Sequence, residues 1–252
     1  MTAGAGEGNQ PPELSLILAC YNEENIIEGR VRRIFEALDA LRFSSEVIFV
    51  DDGSRDGTGR LIDRILIAHP GRDLRKIEHV HNTGRGSAVS DGIRAARGGF
   101  VGFIDLDLEV RPTYILPCLL ALKQGDDVAT AFRIYKIRPG SLHRQIMSRG
   151  YNVLVRWQTS VPLMDTETGF KFFRRDRILP ILDRVQDQGW FWDTEIMVRA
   201  YLAGLRIVEI PALYERCTDK TSSVRLWHDS WRQFARLRQF GRAISDKKGA
   251  AE

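Results

Sequence analysis

Apolar residues along this chain fall into short blocks that alternate between continuous runs and helical spacing. The run LSLILACY at 14–21 is short and continuously apolar, which predicts a buried strand. In the following NEENIIEGRVRRIFEALDAL, Ile26, Ile27, Ile34, Leu38 and Leu41 make one face of a helix, with Asn22 as its expected N-cap. EVIFV at 46–50 predicts a second strand, DDGSRDGT a tight turn, and GRLIDRILIAH a helix stopped by Pro70-Gly71. LRKIEHV predicts a third strand, NTGRG a glycine loop, SAVSDGIRAARG a third helix and FVGFID a fourth strand. Strands alternating with helices in this way predict βαβ units and a mostly parallel sheet.

Beyond residue 111 the pattern loosens. Pro112 opens a helix to about Lys123, DDVATAFRI predicts a strand, and 139–158 a basic helix. TGFKFFRRD reads as a strand or turn, WDTEIMVRAYLAGL as a helix and RIVEIP as a last strand. The sequence closes on a long basic helix, SSVRLWHDSWRQFARLRQFGRAISDKK. The expected division is a disordered N-terminus over 1–12, one α/β domain over 13–222, and a basic amphipathic helix and tail over 223–252.

In such a sheet, ligands gather at the carboxyl ends of the strands. The loops there are CYNEE, DDGSRDG, HNTGRG and DLDLE, so four polar clusters fall on one sheet edge. In the last, Asp105, Asp107 and Glu109 alternate with Ile104, Leu106 and Leu108, and alternate residues of an extended chain share a face. Neighbouring carboxylates repel unless a cation or donors sit among them. A hard divalent ion, Mg²⁺ or Mn²⁺, suits that oxygen set and keeps waters and a substrate phosphate as further ligands. On its own, the acidic stretch also reads as a solvated strand end. Asp51 and Asp52 at the second strand tip are suited to accept hydrogen bonds from a base N–H or ribose hydroxyls, while Gly53 to Thr58 reads as an Asx turn and helix cap. HNTGRGSA offers backbone N–H groups and a helix dipole to an anion, although it is neither a Walker loop nor GxGxxG.

Composition narrows the classes. With 252 residues, 43% hydrophobic and 28% charged, the chain suits one large α/β domain or two small ones. Its net charge of +4 suits a phosphate-rich ligand or an anionic membrane surface and gives no indication of nucleic acid. Cys20, Cys118 and Cys217 are odd in number and lack a CxxC pair, so they read as reduced, and the protein as cytosolic without a disulfide framework or zinc knuckle. GxSxG, HExxH and Cys-His nucleophile signatures are absent. His79 and His81 form a weaker alternative metal pair; His69, His143 and His228 read as surface or capping residues. The Gly-rich N-terminus is unlike a signal peptide. YILPCLLAL at 114–122 is about half the length of a membrane span, so no bilayer crossing is expected.

LILACYNEE, VDDGSRDGT, NTGRGSAVSDGIRAARG, DLDLE, TGFKFFRRD and WDTEIMVRAYLAGLRIVEIP occur in that order. Together they resemble family 2 inverting glycosyltransferases of the GT-A fold, in particular the dolichyl- or polyprenyl-phosphate sugar synthases, over about residues 13–225. The resemblance implies a UDP- or GDP-linked sugar donor, a polyprenyl phosphate acceptor, and action at the cytoplasmic face of a membrane, with a membrane subunit as a further partner. Tyr21, Glu23 and Asp52 would line base and ribose, with Asp51 beside them and Asn82 and Gly84 in the glycine loop. Asp105 and Asp107 would be the metal-binding DxD, with Glu109 near the same ion. Asp193 and Glu195 would face the donor sugar. Arg133, Arg149, Ser222 and Arg225 would receive the acceptor phosphate. Ala19 replaces a common Pro, and Arg85 stands where Lys is frequent.

The acceptor divides the mechanisms. A hydroxyl nucleophile needs a general base, for which Asp193 is the candidate. A phosphate monoester is largely dianionic at neutral pH and needs only cations to hold it. A same-fold enzyme acting on a hydroxyl, a sugar-phosphate nucleotidyltransferase and a silent binding subunit are the rival readings. In the C-terminal helix, Trp227, Trp231 and Phe234 follow helical spacing, while Arg225, Arg232, Arg236, Arg238 and Arg242 add positive charge. That pattern suits either a membrane interface or packing on the domain itself.

Overall fold

The computed structural model describes residues 10–135, 142–215, 233 and 235–244. Among these, seven strands form one sheet: β1 (Leu14–Cys20), β2 (Ser45–Asp51), β3 (Asp73–Glu78), β4 (Phe100–Ile104), β5 (Val128–Tyr135), β6 (Phe170–Arg174) and β7 (Ile207–Tyr214). Their order is β3-β2-β1-β4-β6-β5-β7. The pairs β1–β2, β2–β3, β1–β4 and β5–β7 are parallel, and β6 alone runs against its neighbours. The chain winds outward from β1 to β3 and then returns to place β4 on the other side of β1. The crevice at the carboxyl ends of β1 and β4 is therefore the topological switch point, where open α/β sheets bind ligands.

Helices cover both faces, which is why β1 and β2 read as unbroken apolar runs. One core joins the sheet to α1 (Ile27–Asp39), α2 (Thr58–Ala68) and α4 (Ile115–Lys123) through Ile34, Phe35, Ile62 and Leu119. The opposite core takes in α3 (Arg85–Ala95), α5 (Leu142–Thr159), α6 (Arg175–Leu182) and α7 (Trp192–Leu202), with Ile93, Val155, Ile178 and Trp192 buried. Two glycines allow close approach, one on each face: a Cβ on Gly86 would lie 2.5 Å from that of Trp192 in this core, and one on Gly102 would strike the Phe172 ring in the first.

Several expectations are corrected. β4 stops at Ile104, so 105–109 is a turn and Asp105, Asp107 and Glu109 do not alternate along a strand. The Asp105 N–H reaches the Gly169 carbonyl, the Leu108 N–H returns to the Asp105 carbonyl, and Leu108 takes φ 51°. Burial of Leu106 and Leu108 holds this turn down. Asn22 is no helix cap: α1 begins at Ile27, and Asn22, at φ 55°, accepts the Arg55 N–H at 2.8 Å, stapling the first loop to the second. α6, with Pro180 inside it, was not anticipated; its arginines and proline break the apolar spacing. Pro12, assigned to a disordered tail, is buried. Cys20 and Cys118 are buried, and Cys217 lies outside the described residues.

Residues 235–244 are helical and pack on their own domain. Leu237 is fully buried, and the Phe240 ring meets Phe191 edge-on at 5.6 Å with Arg199 over it at 5.1 Å. Arg238 and Arg242 are exposed, whereas Trp227, Trp231, Phe234, Arg225 and Arg232 lie outside the described residues. Among the described residues, no helix is long and apolar enough to cross a membrane.

Candidate active site

A cleft of about 510 Å³ opens at the switch point. Tyr21 and Glu23 enter it from the β1 loop, Asp52 from the β2 tip, and Asn82, Gly84 and Arg85 from the glycine loop. Asp105, Asp107 and Glu109 come from the turn after β4, Arg133 from β5 and Asp193 from α7. The convergence of polar loops expected from the βαβ pattern is therefore present.

The two aspartates of the β2 tip separate. Asp51 is buried and accepts the Ser54 N–H at 3.0 Å, closing the turn, and it is not among the cleft-lining residues. Asp52 is a hub: its Oδ1 accepts from His79 Nδ1 (2.8 Å), Thr83 N–H (2.8 Å) and Thr83 Oγ1 (2.7 Å), and its Oδ2 from Gly84 N–H (2.9 Å). Two backbone donors expected to greet an anion are thus already donated to Asp52. Gly84 needs to be glycine, because its φ is +105° and a Cβ would strike the Gln188 carbonyl. His79 is a partner of Asp52, while His81 is exposed.

Four opposite charges meet deeper in the cleft. Arg85 donates from Nε to Asp105 Oδ1 (2.8 Å) and from Nη1 to Asp193 Oδ2 (2.5 Å), with Nη2 2.6 Å from the same Asp105 oxygen. Its guanidinium lies over the rings of Phe103 (5.2 Å) and Trp190 (5.4 Å). Lys171 is completely buried and donates to Asp193 Oδ1 at 2.8 Å and to the Thr168 carbonyl. Burial pulls the Lys171 ammonium below its ordinary range, against the attraction of Asp193. Burial likewise lifts the Asp105 carboxyl to about 6, with Arg85 opposing and Asp107 and Asp193 adding to the rise. Lys171 is absent from the residues expected at the site, yet its signal is present in the sequence: one lysine inside FKFF, a run otherwise fit only for a core.

Arg133 sits in a second, acidic setting. It grips Asp165 through Nε (2.6 Å) and Nη2 (2.8 Å), and Nη2 also reaches Glu167 (3.3 Å) and Ser148 (3.2 Å). Burial would raise Asp165, but Arg133 and Thr168 hold it below the usual range; burial wins at Glu167 and raises it. The Tyr214 phenol donates to Glu109, and its ring packs on Tyr135 at 4.9 Å. Arg149 is exposed on α5 and outside the cleft lining, and Ser222 and Arg225 lie outside the described residues. Glu195 is buried but turns from the cleft: it accepts the Gln186 and Asp187 N–H groups and Arg199 Nε, fixing the 186–190 loop.

Among the described residues, no three His, Cys, Asp or Glu side chains are placed to hold a metal ion. The triple-carboxylate expectation is therefore reduced to two, because Glu109 is drawn to Tyr214. Asp105 and Asp107 still fit Mg²⁺ or Mn²⁺, which bind through one or two carboxylates with phosphate oxygens and waters completing the shell.

The family model for glycosyl transferase family 2 matches residues 15–189. The chain belongs to this family. Among the relatives of this glycosyl transferase family 2 chain, glycosyltransferase AglD of Haloferax volcanii is 36% identical over 211 residues, 81% of this chain and 33% of that protein. The dolichyl-phosphate beta-glucosyltransferase of Dictyostelium discoideum is 26% identical over 211 residues, 78% of this chain and 64% of that one. The chain thus spans one third of the first relative and under two thirds of the second. Glucosyl-3-phosphoglycerate synthase of Mycobacterium tuberculosis, solved with Mn²⁺, UDP-glucose and phosphoglyceric acid, matches at TM-score 0.67 and 18% identity over 92% of this chain and 80% of that one. The likeness is one of fold, and the fold is GT-A, as the resemblance implied.

Proposed function

We propose that this chain transfers a sugar from a nucleoside-diphosphate sugar to the phosphate of a polyprenyl lipid, inverting the anomeric carbon. The observation that carries the choice of acceptor is the saturation of Asp193. One of its oxygens is held by Arg85 and the other by Lys171, so taking up a proton would break a buried ion pair. The carboxylate expected to serve as base for a hydroxyl is thus ill-suited to that work, whereas a phosphate dianion attacks without a base. The Dictyostelium relative, a dolichyl-phosphate beta-glucosyltransferase by name, supports the same acceptor class.

In this reading Tyr21, Glu23 and Asp52 flank the nucleoside, Asn82 and Gly84 the diphosphate. Asp105 and Asp107 would hold Mg²⁺ or Mn²⁺, which when bound supplies positive charge for the leaving diphosphate. Arg133 presents the acceptor side, and the resemblance adds Ser222 and Arg225 as further donors, while Arg149 lies outside the cleft lining. Asp193 orients Arg85 and Lys171 beneath the reacting centre, and Glu195 and Asp51 act through the loops they fix. The lipid acceptor places the enzyme peripherally on the cytoplasmic face of a membrane, reached through its own basic C-terminal stretch or a membrane subunit.

One observation favours a second reading, a hydroxyl acceptor. Glu167 lines the cleft beside Arg133, and burial raises its carboxyl, as a general base requires. Incubating the chain with radiolabelled UDP- and GDP-sugars and either polyprenyl phosphate or non-phosphorylated glycolipid and polysaccharide acceptors, with and without EDTA, separates the two. Label in the phosphorylated lipid, lost with EDTA, is expected; transfer only to the glycolipid or polysaccharide hydroxyls would establish the second reading, and transfer to neither class would defeat both.

A further inference from the structure

We propose that Arg85 is a resident counter-cation of the metal site: a positioning residue that holds Asp105 and Asp193 together before the divalent ion arrives and competes with that ion for Asp105. The inference rests on the reading that Asp105 and Asp107 bind the ion.

Three features support it. First, Arg85 donates from Nε to Asp105 Oδ1 at 2.8 Å, and its Nη2 lies 2.6 Å from the same oxygen without forming a hydrogen bond, so both nitrogens of the cation crowd one carboxylate oxygen. The other oxygen, Oδ2, faces Gly169 so closely that a Cβ there would overlap it. An incoming ion therefore shares or takes an oxygen that a full positive charge already holds. Second, the guanidinium cannot simply swing away. Phe103 and Trp190 cover it, Asp193 anchors Nη1 at 2.5 Å, and Asp193 is itself fixed by Lys171. The side chain is only 12% exposed. Third, the charges balance without a metal: Arg85 and Lys171 offset Asp105 and Asp193. Asp105 and Asp193 are thus preorganised at the cost of affinity for a bare divalent ion, and the ion is best received together with a diphosphate that brings its own negative oxygens.

A structural role and a counter-cation role predict opposite signs for metal affinity. Removing a merely structural arginine loosens Asp105 and weakens metal binding. Removing a competing unit charge a few ångströms away strengthens it, by an amount that Coulomb's law puts at about tenfold or more.

The test is Mn²⁺ alone, titrated into the intact chain at pH 8 and followed by the EPR signal of free Mn²⁺, for wild type, Arg85→Gln and Arg85→Lys. Arg85→Gln, which keeps a donor and drops the charge, is expected to bind Mn²⁺ about tenfold tighter or more while losing transfer activity. Arg85→Lys keeps the charge but lacks the planar fork that bonds Asp105 and Asp193 at once, so its hold on Oδ1 loosens and about two- to fivefold tighter binding is expected. If Arg85→Gln fails to fold by circular dichroism, Arg85→Lys decides alone: tighter binding supports the inference, and unchanged or weaker binding overturns it. Wild type binding Mn²⁺ with Arg85→Gln binding it no tighter overturns the inference and leaves the metal reading standing. Absence of binding in wild type and both variants overturns both.

Discussion

Replacing Lys171 by Met tests the charge network most directly. Met matches the length of the lysine stem and suits a site bordered by Phe103, whose ring centroid lies 5.6 Å from Nζ. Packing is thereby nearly conserved, and the change reports on charge. Lys171 is fully buried and its partner side chain in Asp193 is 3% exposed, so neither is relieved by solvent. Deleting one member of such a pair leaves a buried charge under-compensated, a loss of about 3–5 kcal/mol. With about 2.1 cal/mol/K of unfolding entropy per residue, a chain of 252 residues has an unfolding entropy near 0.53 kcal/mol/K, so the melting temperature should fall by roughly 6–9 °C. Differential scanning calorimetry at pH 7.5 measures this. The double variant K171M/D193N removes both charges and should lose less than the sum of the single variants, by at least about 1.5 kcal/mol, because contacting residues couple. A fall under about 2 °C for K171M, or additive losses in the cycle, would refute a buried charge network and leave only a packing effect.

Four further outcomes are expected. Because the Asp105 carboxyl titrates at about 6 in the metal-free fold, Mn²⁺ affinity should be flat above that pH and fall steeply below it; calorimetric titrations that stay level down to pH 4 would contradict the raised value. The same rise from 3.8 means the fold holds a proton that the unfolded chain gives up, so metal-free wild type should lose stability relative to D105N as pH climbs from about 4 to about 6. In G169A, a Cβ would overlap the Asp105 carboxylate; transfer should drop by about 100-fold or more while the melting temperature changes little, and near-normal turnover would show that this oxygen is free to move. L237A should cost about 2–4 kcal/mol by thermal melting, since Leu237 is fully buried against the domain; no change would mean that residues 235–244 contribute nothing to the core.

Much of the architecture was written in local pattern. β1 and β2 are buried on both faces, so their runs are unbroken, and α1 shows its buried stripe at helical spacing. Strand–helix alternation through residue 104 sufficed to bring Tyr21, Asp52, Asn82 and Asp105 to one edge, because parallel crossovers return every strand in the same direction. α6 escaped because Pro180 and its arginines mask the stripe that buries Ile178 and Ile181.

What sequence could not assign was the direction and partner of each charged side chain. Asp51 and Asp52 are neighbours, yet one closes a turn and the other organises the glycine loop. Asp193 and Glu195 lie on one helix, yet one enters the cleft and the other holds a loop. Arg85, Asp105, Lys171 and Asp193 are spread over more than a hundred residues and meet only because β4, β6, α3 and α7 pack together. Residue type and spacing determined the sheet and the edge at which chemistry gathers, since burial and periodicity act over a few residues. Which charges neutralise one another was decided by tertiary packing alone, because electrostatic partners are chosen by distance in space and by exclusion of water, and neither is a property of neighbouring positions in the chain.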